Sequence, residues 1–350
     1  MMRNIFLKIK QQGYWLFLLR FVINPIFNFF WTNFLNLKGR YLYFRFKKKK
    51  FDNLEIDPIK PVMVLRDDED FKNISSKIKN NLSNFSLEDE IIENKKSKNF
   101  ENDNKNFKIE LLDKLDDSVK KEIINFAKSE KILSIVCNYL KVFPVIGKIH
   151  VSLNYPVENK KERSSMLWHK DDFGYRSLDF FVLLCDVNKN NGPMYYLNKK
   201  NHLGIFTRVP EIIENAKPKE RNKIHLENFD RYVKKDEIRI FEGKVGDTLL
   251  IDSFNVYHRG GYCIDGKRLM LRISYQTPDA ARLQKIDHKS GFFYFTKIKK
   301  EHIFDKHQKY LFFGSELMKK KKLIVNFLLY LYRILGTKEK KIDESINYNN

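Results

Sequence analysis

The pattern of apolar and polar positions changes near residue 147. From about 110 to 140, apolar residues such as Leu111, Leu115, Val119 and Ile123 recur at helical spacing, which predicts helices. Beyond 147 the apolar runs are short and turn residues separate them, which is typical of β-strands. Six strands are predicted: Ile149 to Tyr155, Leu178 to Val187, Met194 to Leu197, Ile238 to Phe241, Thr248 to Ile251 and Arg268 to Gln276. Short strands without helices between them predict a mainly β protein with flanking helices, built on a β-sandwich or jelly roll.

Three other stretches differ from this β-rich part. The segment 76–107 is rich in Asn, Lys, Ser and Glu, which predicts loops or partial disorder. An apolar stretch followed by a basic run occupies residues 1–50, and a basic run followed by an apolar stretch occupies 301–350. We therefore divide the chain into an apolar and basic helical leader (1–50), a helical and loop-rich region (51–146), a β core (147–300) and a C-terminal helix with a basic tail (301–350).

The apolar leader lacks the features of a secretory signal peptide. Polar residues interrupt Tyr14 to Leu37, and no small-residue cleavage site follows it. We interpret it as a helix that lies on the rest of the protein or on a bilayer surface, with a true membrane span as the third alternative. The apolar run Leu323 to Leu335, which follows Lys319 to Lys322, favours peripheral membrane contact in the same way.

Net charge and cysteine content limit the binding partners and the cellular compartment that we expect. The 350 residues include 66 Lys and Arg against 44 Asp and Glu, a formal net charge of +22, which favours a membrane surface, nucleic acid or an anionic substrate. No phosphate-binding loop, zinc-finger spacing or nucleic-acid motif is present, so nucleic acid is not an expected partner. The three cysteines are widely spaced and odd in number, so neither a disulfide framework nor a zinc cluster is expected. We expect a cytoplasmic protein, with the inner membrane face as the site of any peripheral contact.

A candidate metal site begins in the segment Leu167 to Asp172. If this segment is extended, His169 and Asp171 project from one face of a strand and occupy two positions on one metal ion. His258, after the strand Thr248 to Ile251, is the expected third ligand. Two histidines and one carboxylate leave the other octahedral positions open, as in non-haem Fe(II) oxygenases. A His-x-Asp alone is weak evidence, because an ordinary polar role for each residue is common.

The strand Arg268 to Gln276 makes the metal site more credible. Its odd positions are apolar, whereas Arg268 and Arg272 share the even face. If that face points to water, the arginines need no partner. If it points into the barrel, two guanidinium groups need anions, because unpaired buried charges are costly. A dicarboxylate such as 2-oxoglutarate answers that need, since it chelates iron at one end and reaches an arginine with the other.

Several segments in order from about 165 to 276 resemble a known family. The segments are WHKDD, LDFFVLLCDV, NNGPMYYLNKKNH, GDTLLIDSFNVYHRGG and GKRLMLRISY. Together they are similar to the phytanoyl-CoA dioxygenase-like branch of the Fe(II)/2-oxoglutarate-dependent oxygenases. The resemblance implies a double-stranded β-helix, cupin-like core, with Fe(II), 2-oxoglutarate and O₂ as cofactor and cosubstrates. It implies a hydroxylase that releases succinate and CO₂ while oxidising a small organic, lipid-linked or saccharide substrate.

Carried over to this chain, the resemblance makes His169, Asp171 and His258 the iron ligands and Arg268 the anchor for the far carboxylate of 2-oxoglutarate. Arg272 is the next candidate for contact with the cosubstrate. Should Arg272 be the anchor, Arg268 becomes a rim residue. Asp172 falls on the opposite face of an extended segment and is not an expected ligand. Related halogenases replace the carboxylate ligand with a small residue, so retention of Asp171 favours oxidation over halogenation.

The alternative hypothesis is a protein that binds a ligand without catalysing a reaction. A non-catalytic β-barrel protein, placed at a membrane surface or elsewhere, would use the paired arginines to hold an anionic ligand. Retention of all three ligand positions disfavours it. The sequence leaves the substrate, its binding residues and the oligomeric state open.

Overall fold

The computed structural model describes residues 36–37, 39–44, 55–96, 107–157, 164–171, 177–198, 223–224, 233 and 235–277. Four α-helices lie in the first half of this part, and residues 36–37 and 39–44 are helical as well. The four helices are α1 (Glu69–Leu82), α2 (Leu87–Lys96), α3 (Asp117–Ala127) and α4 (Glu130–Leu140). The strands are β1 (Val62–Leu65), β2 (Lys108–Glu110), β3 (Val145–Asn154), β4 (Trp168–His169), β5 (Ser177–Leu183), β6 (Met194–Leu197), β7 (Lys223–Ile224), β8 (Ile238–Phe241), β9 (Thr248–Ile251), β10 (His258–Gly260) and β11 (Arg268–Gln276).

The strands form two sheets in which every neighbouring pair is antiparallel. One sheet has the order β1-β9-β5-β11-β3-β2 and the other has the order β7-β4-β10-β6-β8. From β3 to β6, and again from β8 to β11, successive strands alternate between the two sheets. This alternation is the connectivity of a double-stranded β-helix, or jelly roll. The predicted fold class is therefore confirmed.

Most of the sequence-predicted strands are present. β6, β8, β9 and β11 have the predicted bounds, and β3 and β5 differ from prediction at their ends. Five further strands were not predicted, namely β1, β2, β4, β7 and β10. Each has only two to four residues, which is too short for a periodic pattern to be distinguished from a loop.

The prediction of loops across 76–107 is wrong for much of that segment, because α1 continues to Leu82 and α2 covers Leu87–Lys96. The few apolar residues of α1 suffice, since Phe71, Ile74 and Ile78 recur on one face and are buried. Asp68 caps this helix by accepting a hydrogen bond from the backbone N–H of Asp70. Residues 97–106 lie outside the described residues, as do the apolar leader up to residue 35 and all of 301–350.

The helices cover one face of the six-stranded sheet. The ring of Phe71 in α1 stacks on Phe180 in β5 with centroids 6.2 Å apart, and Phe180 meets Tyr275 in β11 edge-on at 5.4 Å. The buried hydroxyl of Tyr275 donates to the carbonyl of Ala127, 2.6 Å away, at the end of α3. Within the described ranges, no helix combines the length and the apolar character needed to cross a bilayer.

The other face of the six-stranded sheet looks towards the five-stranded sheet. A second buried cluster joins Phe181, Leu249 and Met270 from the first sheet to Tyr196 and Phe241 from the second. The odd positions of β11 pack with the helices, so Met270 and the arginines of the same parity face the space between the sheets. Almost every β11 side chain is buried, so the hypothesis that its polar face points to water is wrong.

Candidate metal centre

Strand pairing brings the two candidate histidines together. β4 and β10 are antiparallel neighbours, and His169 lies directly opposite His258. Directly opposed residues of an antiparallel pair present their side chains on the same face. The two imidazole rings accordingly lie 4.5 Å apart, centroid to centroid, at 48° to each other. Register between β4 and β10 is therefore what creates this half of the site.

Asp171 joins the histidines from the loop that follows β4. Its backbone N–H donates to the carbonyl of Ser253, 2.9 Å away, which fixes the turn of the chain after His169. One carboxylate oxygen, Oδ1, lies 3.7 Å from Nε2 of His169. One ligand atom from each of His169, Asp171 and His258 lies within 4.8 Å of the others. The structure thus brings together the three residues that the sequence nominated.

The hydrogen bonds of the histidines select the nitrogen that faces the metal position. Nδ1 of His169 lies 2.7 Å from the carbonyl oxygen of Leu167, and Nδ1 of His258 lies 3.1 Å from that of Val256. A carbonyl only accepts, so each Nδ1 carries the proton and each Nε2 keeps a lone pair for a metal ion. These two hydrogen bonds therefore orient Nε2 of each ring for coordination.

Arg272 contacts Asp171, the third candidate ligand. Its Nη2 donates to Oδ2 of Asp171 and, at 2.8 Å, to Oδ2 of Asp179 in β5, while Nε lies 3.4 Å from Oδ1 of Asp179. Burial lowers the pKa of the Arg272 guanidinium, but the charges of Asp179 and Asp171 outweigh that effect and hold the pKa above its ordinary value. Arg272 is therefore a permanent cation beside the candidate ligand Asp171.

Asp179 and Ser253 extend this arrangement. Asp179 is 1% exposed and accepts hydrogen bonds from both Arg272 and the hydroxyl of Ser253. Ser253 Oγ also lies 3.2 Å from the hydroxyl oxygen of Ser177. Sequence reasoning missed these residues. The available signal was an acidic residue inside the apolar run Leu178 to Leu184, where an unpaired charge would be costly.

Arg268 stands in contrast to Arg272. It is 4% exposed, and its Nε and Nη1 atoms are buried without a hydrogen-bond partner among the described residues. Burial lowers the pKa of its guanidinium, and the thiols of Cys263 and Cys185 oppose that shift only in part. Unsatisfied buried donors on a cation are costly, so this position calls for an anion.

Gly260 connects the Arg268 position to the metal position. A Cβ atom at Gly260 would lie 3.2 Å from Nη2 of Arg268, so the absence of a side chain makes room for the guanidinium. Gly260 and His258 are two residues apart in β10 and share a face, about 6.8 Å apart along the strand. Nη2 of Arg268 and the candidate ligand His258 therefore lie towards the same face of β10.

Comparison with solved structures returns distant likenesses. The chain is similar to the non-heme alpha ketoglutarate dependent carbocyclase SnoK from nogalamycin biosynthesis, at 11% identity and a TM-score of 0.33 over 48% of this chain and 62% of that one, which is less than two thirds of its length. It is also similar to EctD from S. alaskensis, solved with 2-oxoglutarate and 5-hydroxyectoine, at 15% identity and a TM-score of 0.39, covering 63% of this chain and 73% of that one.

A third likeness is HygX from Streptomyces hygroscopicus, solved with nickel and 2-oxoglutarate, at 11% identity and a TM-score of 0.40, covering 63% of this chain and 84% of that one. No protein-family model and no curated protein matches the sequence. Because the sequence identities and TM-scores are this low, the assignment of function depends on the geometry of the site itself.

Proposed function

We propose that this protein is an Fe(II)/2-oxoglutarate-dependent oxygenase. The observation that carries the proposal is the combination, in one barrel interior, of a His-Asp-His triad and a buried guanidinium group whose Nε and Nη1 have no hydrogen-bond partner in the described part of the chain. The triad can bind a metal ion, and the buried guanidinium can bind an anion beside that ion. An anion-binding barrel without a metal would leave the convergence of two imidazoles and a carboxylate unexplained.

The donor set fits iron(II). His169 and His258 offer Nε2, and Asp171 offers Oδ1, because its other oxygen receives the hydrogen bond from Arg272. Two imidazoles and one carboxylate on one face of an octahedral ion leave three positions for exogenous ligands, the pattern that favours non-haem Fe(II) over structural zinc.

The charges fit 2-oxoglutarate. Two carboxylates, Asp171 and Asp179, and two guanidinium groups, Arg268 and Arg272, balance one another. A divalent metal ion and a doubly charged cosubstrate add equal and opposite charge, so the loaded site is neutral. In our proposal Arg268 binds the far carboxylate of 2-oxoglutarate through charge-assisted hydrogen bonds. Arg272, whose Nε and Nη2 serve Asp179 and Asp171, holds the ligand Asp171.

Iron(II) with O₂ and 2-oxoglutarate would supply the oxidising chemistry, in which one oxygen atom enters succinate, CO₂ is released and the second oxygen atom oxidises the substrate. The chain's own part is to orient and to exclude water. The Nδ1 hydrogen bonds fix the imidazole planes, Arg268 fixes the direction of the cosubstrate, and apolar side chains such as Phe181 and Met270 keep the interior dry.

The finer assignment is hydroxylation in the manner of the phytanoyl-CoA dioxygenase-like branch, on a small organic, lipid-linked or saccharide substrate. Retention of Asp171 supports oxidation over halogenation. Peripheral membrane contact is part of this proposal, and its support is the exposure of three large apolar residues, Leu37, Tyr41 and Phe44, ahead of the basic run Lys47 to Lys50. Sedimentation with anionic liposomes tests this contact, and absence of binding at low salt would refute it.

The proposed chemistry has a direct test. Anaerobic addition of Fe(II) and 2-oxoglutarate to the full chain is expected to give the weak visible charge-transfer band of the chelate. His169→Ala and Asp171→Ala are expected to abolish the band. Asp247→Asn is the matched control, because Asp247 is also a buried carboxylate paired with an arginine, Arg66, and is not a member of the triad. A folded wild-type protein that gives no band and binds no 2-oxoglutarate would refute the proposal.

A further inference from the structure

Arg272 lies between two carboxylates that do different things. Asp171 directs Oδ1 towards Nε2 of His169, whereas Asp179 is buried in β5 and is not a member of the candidate ligand set. Ser253 links both acids, because its carbonyl accepts from the backbone N–H of Asp171 and its hydroxyl donates to Asp179. Asp171, Arg272, Asp179 and Ser253 therefore form a closed ring of hydrogen bonds.

The N–H groups of Arg272 are shared between two carboxylates, and this sharing determines how many oxygens of Asp171 the guanidinium contacts. An arginine that meets a single carboxylate commonly binds both of its oxygens at once. Here the two-point contact, through Nε and Nη2, goes to Asp179. Arg272 makes a single contact with Asp171, from Nη2 to Oδ2, and the other oxygen, Oδ1, is the one that lies 3.7 Å from Nε2 of His169.

We propose that Asp179 is a positioning residue for the metal centre. It orients Arg272 so that the guanidinium holds one oxygen of Asp171 and leaves the other for the metal, and Ser253 fixes Asp179 relative to the Asp171 backbone. Without Asp179, Arg272 turns to bind both oxygens of Asp171 and competes with the ion. This inference rests on the metal site of the proposed function.

A simpler role would be charge balance alone, in which Asp179 neutralises Arg272 or attracts the metal ion by its negative charge. The two roles differ in their dependence on Arg272. If Asp179 acts by positioning Arg272, its removal has no effect on metal binding once Arg272 is gone. If Asp179 acts by charge, its removal weakens metal binding with or without Arg272.

The experiment is a double-mutant cycle on the full chain, with Mn(II) as the probe and electron paramagnetic resonance of free Mn(II) as the readout. Asp179→Asn is expected to weaken Mn(II) binding by about 10- to 100-fold, the usual effect of losing a residue that orients a ligand. In the Arg272→Gln background the same change is expected to alter affinity by less than about threefold. Asp247→Asn, the matched buried carboxylate paired with Arg66, is expected to bind Mn(II) as wild type does.

Two further measurements distinguish the positioning role of Asp179 from a loss of folding and from an effect of its negative charge. Ser253→Ala removes a hydrogen bond to Asp179 without changing any charge, and we expect about threefold weaker Mn(II) binding in a protein that still folds cooperatively, with a melting temperature lower by several degrees. The visible spectrum of Co(II) depends on the number of ligand oxygens, so it is expected to change in Asp179→Asn and to remain unchanged in Asp247→Asn.

The outcomes are distinguishable. Failure of the wild-type protein to bind Mn(II) would overturn the proposed function itself. Wild-type binding together with unchanged affinity in Asp179→Asn, or an equal loss in both Arg272 backgrounds, would overturn only the positioning role. If Asp179→Asn does not fold, Ser253→Ala decides, and wild-type Mn(II) affinity in that variant would overturn the inference.

Discussion

Replacement of Arg268 by methionine has two opposite consequences in this structure. The side chain is 4% exposed, and Nε and Nη1 have no hydrogen-bond partner within the residues that the structure describes. Unsatisfied charged donors in the interior cost about 1 to 3 kcal/mol, and methionine fills a similar volume with adaptable apolar atoms. We therefore expect Arg268→Met to raise the free energy of unfolding of the metal-free protein by about 1 to 3 kcal/mol.

The same replacement removes the proposed anchor of 2-oxoglutarate. Truncating one partner of a buried, hydrogen-bonded charge pair costs about 2 to 5 kcal/mol. A loss of about 3 kcal/mol corresponds to about 150-fold weaker binding. Mn(II) affinity is expected to be unchanged, because Arg268 is not one of the ligands His169, Asp171 and His258. The predicted variant is thus more stable, binds metal and has lost its cosubstrate.

Two assays check these expectations. Urea unfolding of the metal-free protein gives the stability change, and calorimetric titration of 2-oxoglutarate into the Mn(II)-loaded protein gives the affinity. Arg239→Met, at an exposed position of β8, is the control and is expected to change neither quantity. A variant at Arg268 that is less stable than wild type and binds 2-oxoglutarate within about threefold of it would refute the reasoning about the unsatisfied guanidinium.

Three further outcomes are expected. Gly260→Ala places a Cβ atom 3.2 Å from Nη2 of Arg268, and this crowding of about 1 kcal/mol is expected to weaken 2-oxoglutarate binding about fivefold in calorimetry with Mn(II) affinity unchanged. Burial raises the pKa of Asp252 above its ordinary value of 3.8 despite its hydrogen bonds, so the native state gains stability relative to Asp252→Asn as pH falls through the raised pKa and levels off below 3.8. Urea unfolding of both proteins across that range checks the sign, and a difference independent of pH would contradict it. Phe180→Ala is expected to cost about 3 to 5 kcal/mol in the same assay, because the ring is fully buried under the helices.

The β core was predictable because its information is local. The period-two pattern of a strand lies in neighbouring residues. The alternation from Arg268 to Gln276 therefore predicted both the bounds of β11 and its polar face. The proximity of His169 and Asp171 follows from two residues of separation. The end of α1 and all of α2 were missed because a polar composition obscured the sparse apolar stripe of α1, and because α2 has no buried residue.

The different surroundings of the two arginines came from tertiary structure alone. Arg268 and Arg272 look equivalent in sequence, being four residues apart on one face of one strand. Only the pairing of β11 with β5 brings Asp179 to Arg272, and only the pairing of β4 with β10 brings His169 opposite His258. These contacts join residues about 90 positions apart, and no local pattern encodes the register between such strands. The sequence by itself therefore determined the residue types of the site, whereas the tertiary structure decided that Arg272 meets two carboxylates and that Arg268 meets none among the described residues.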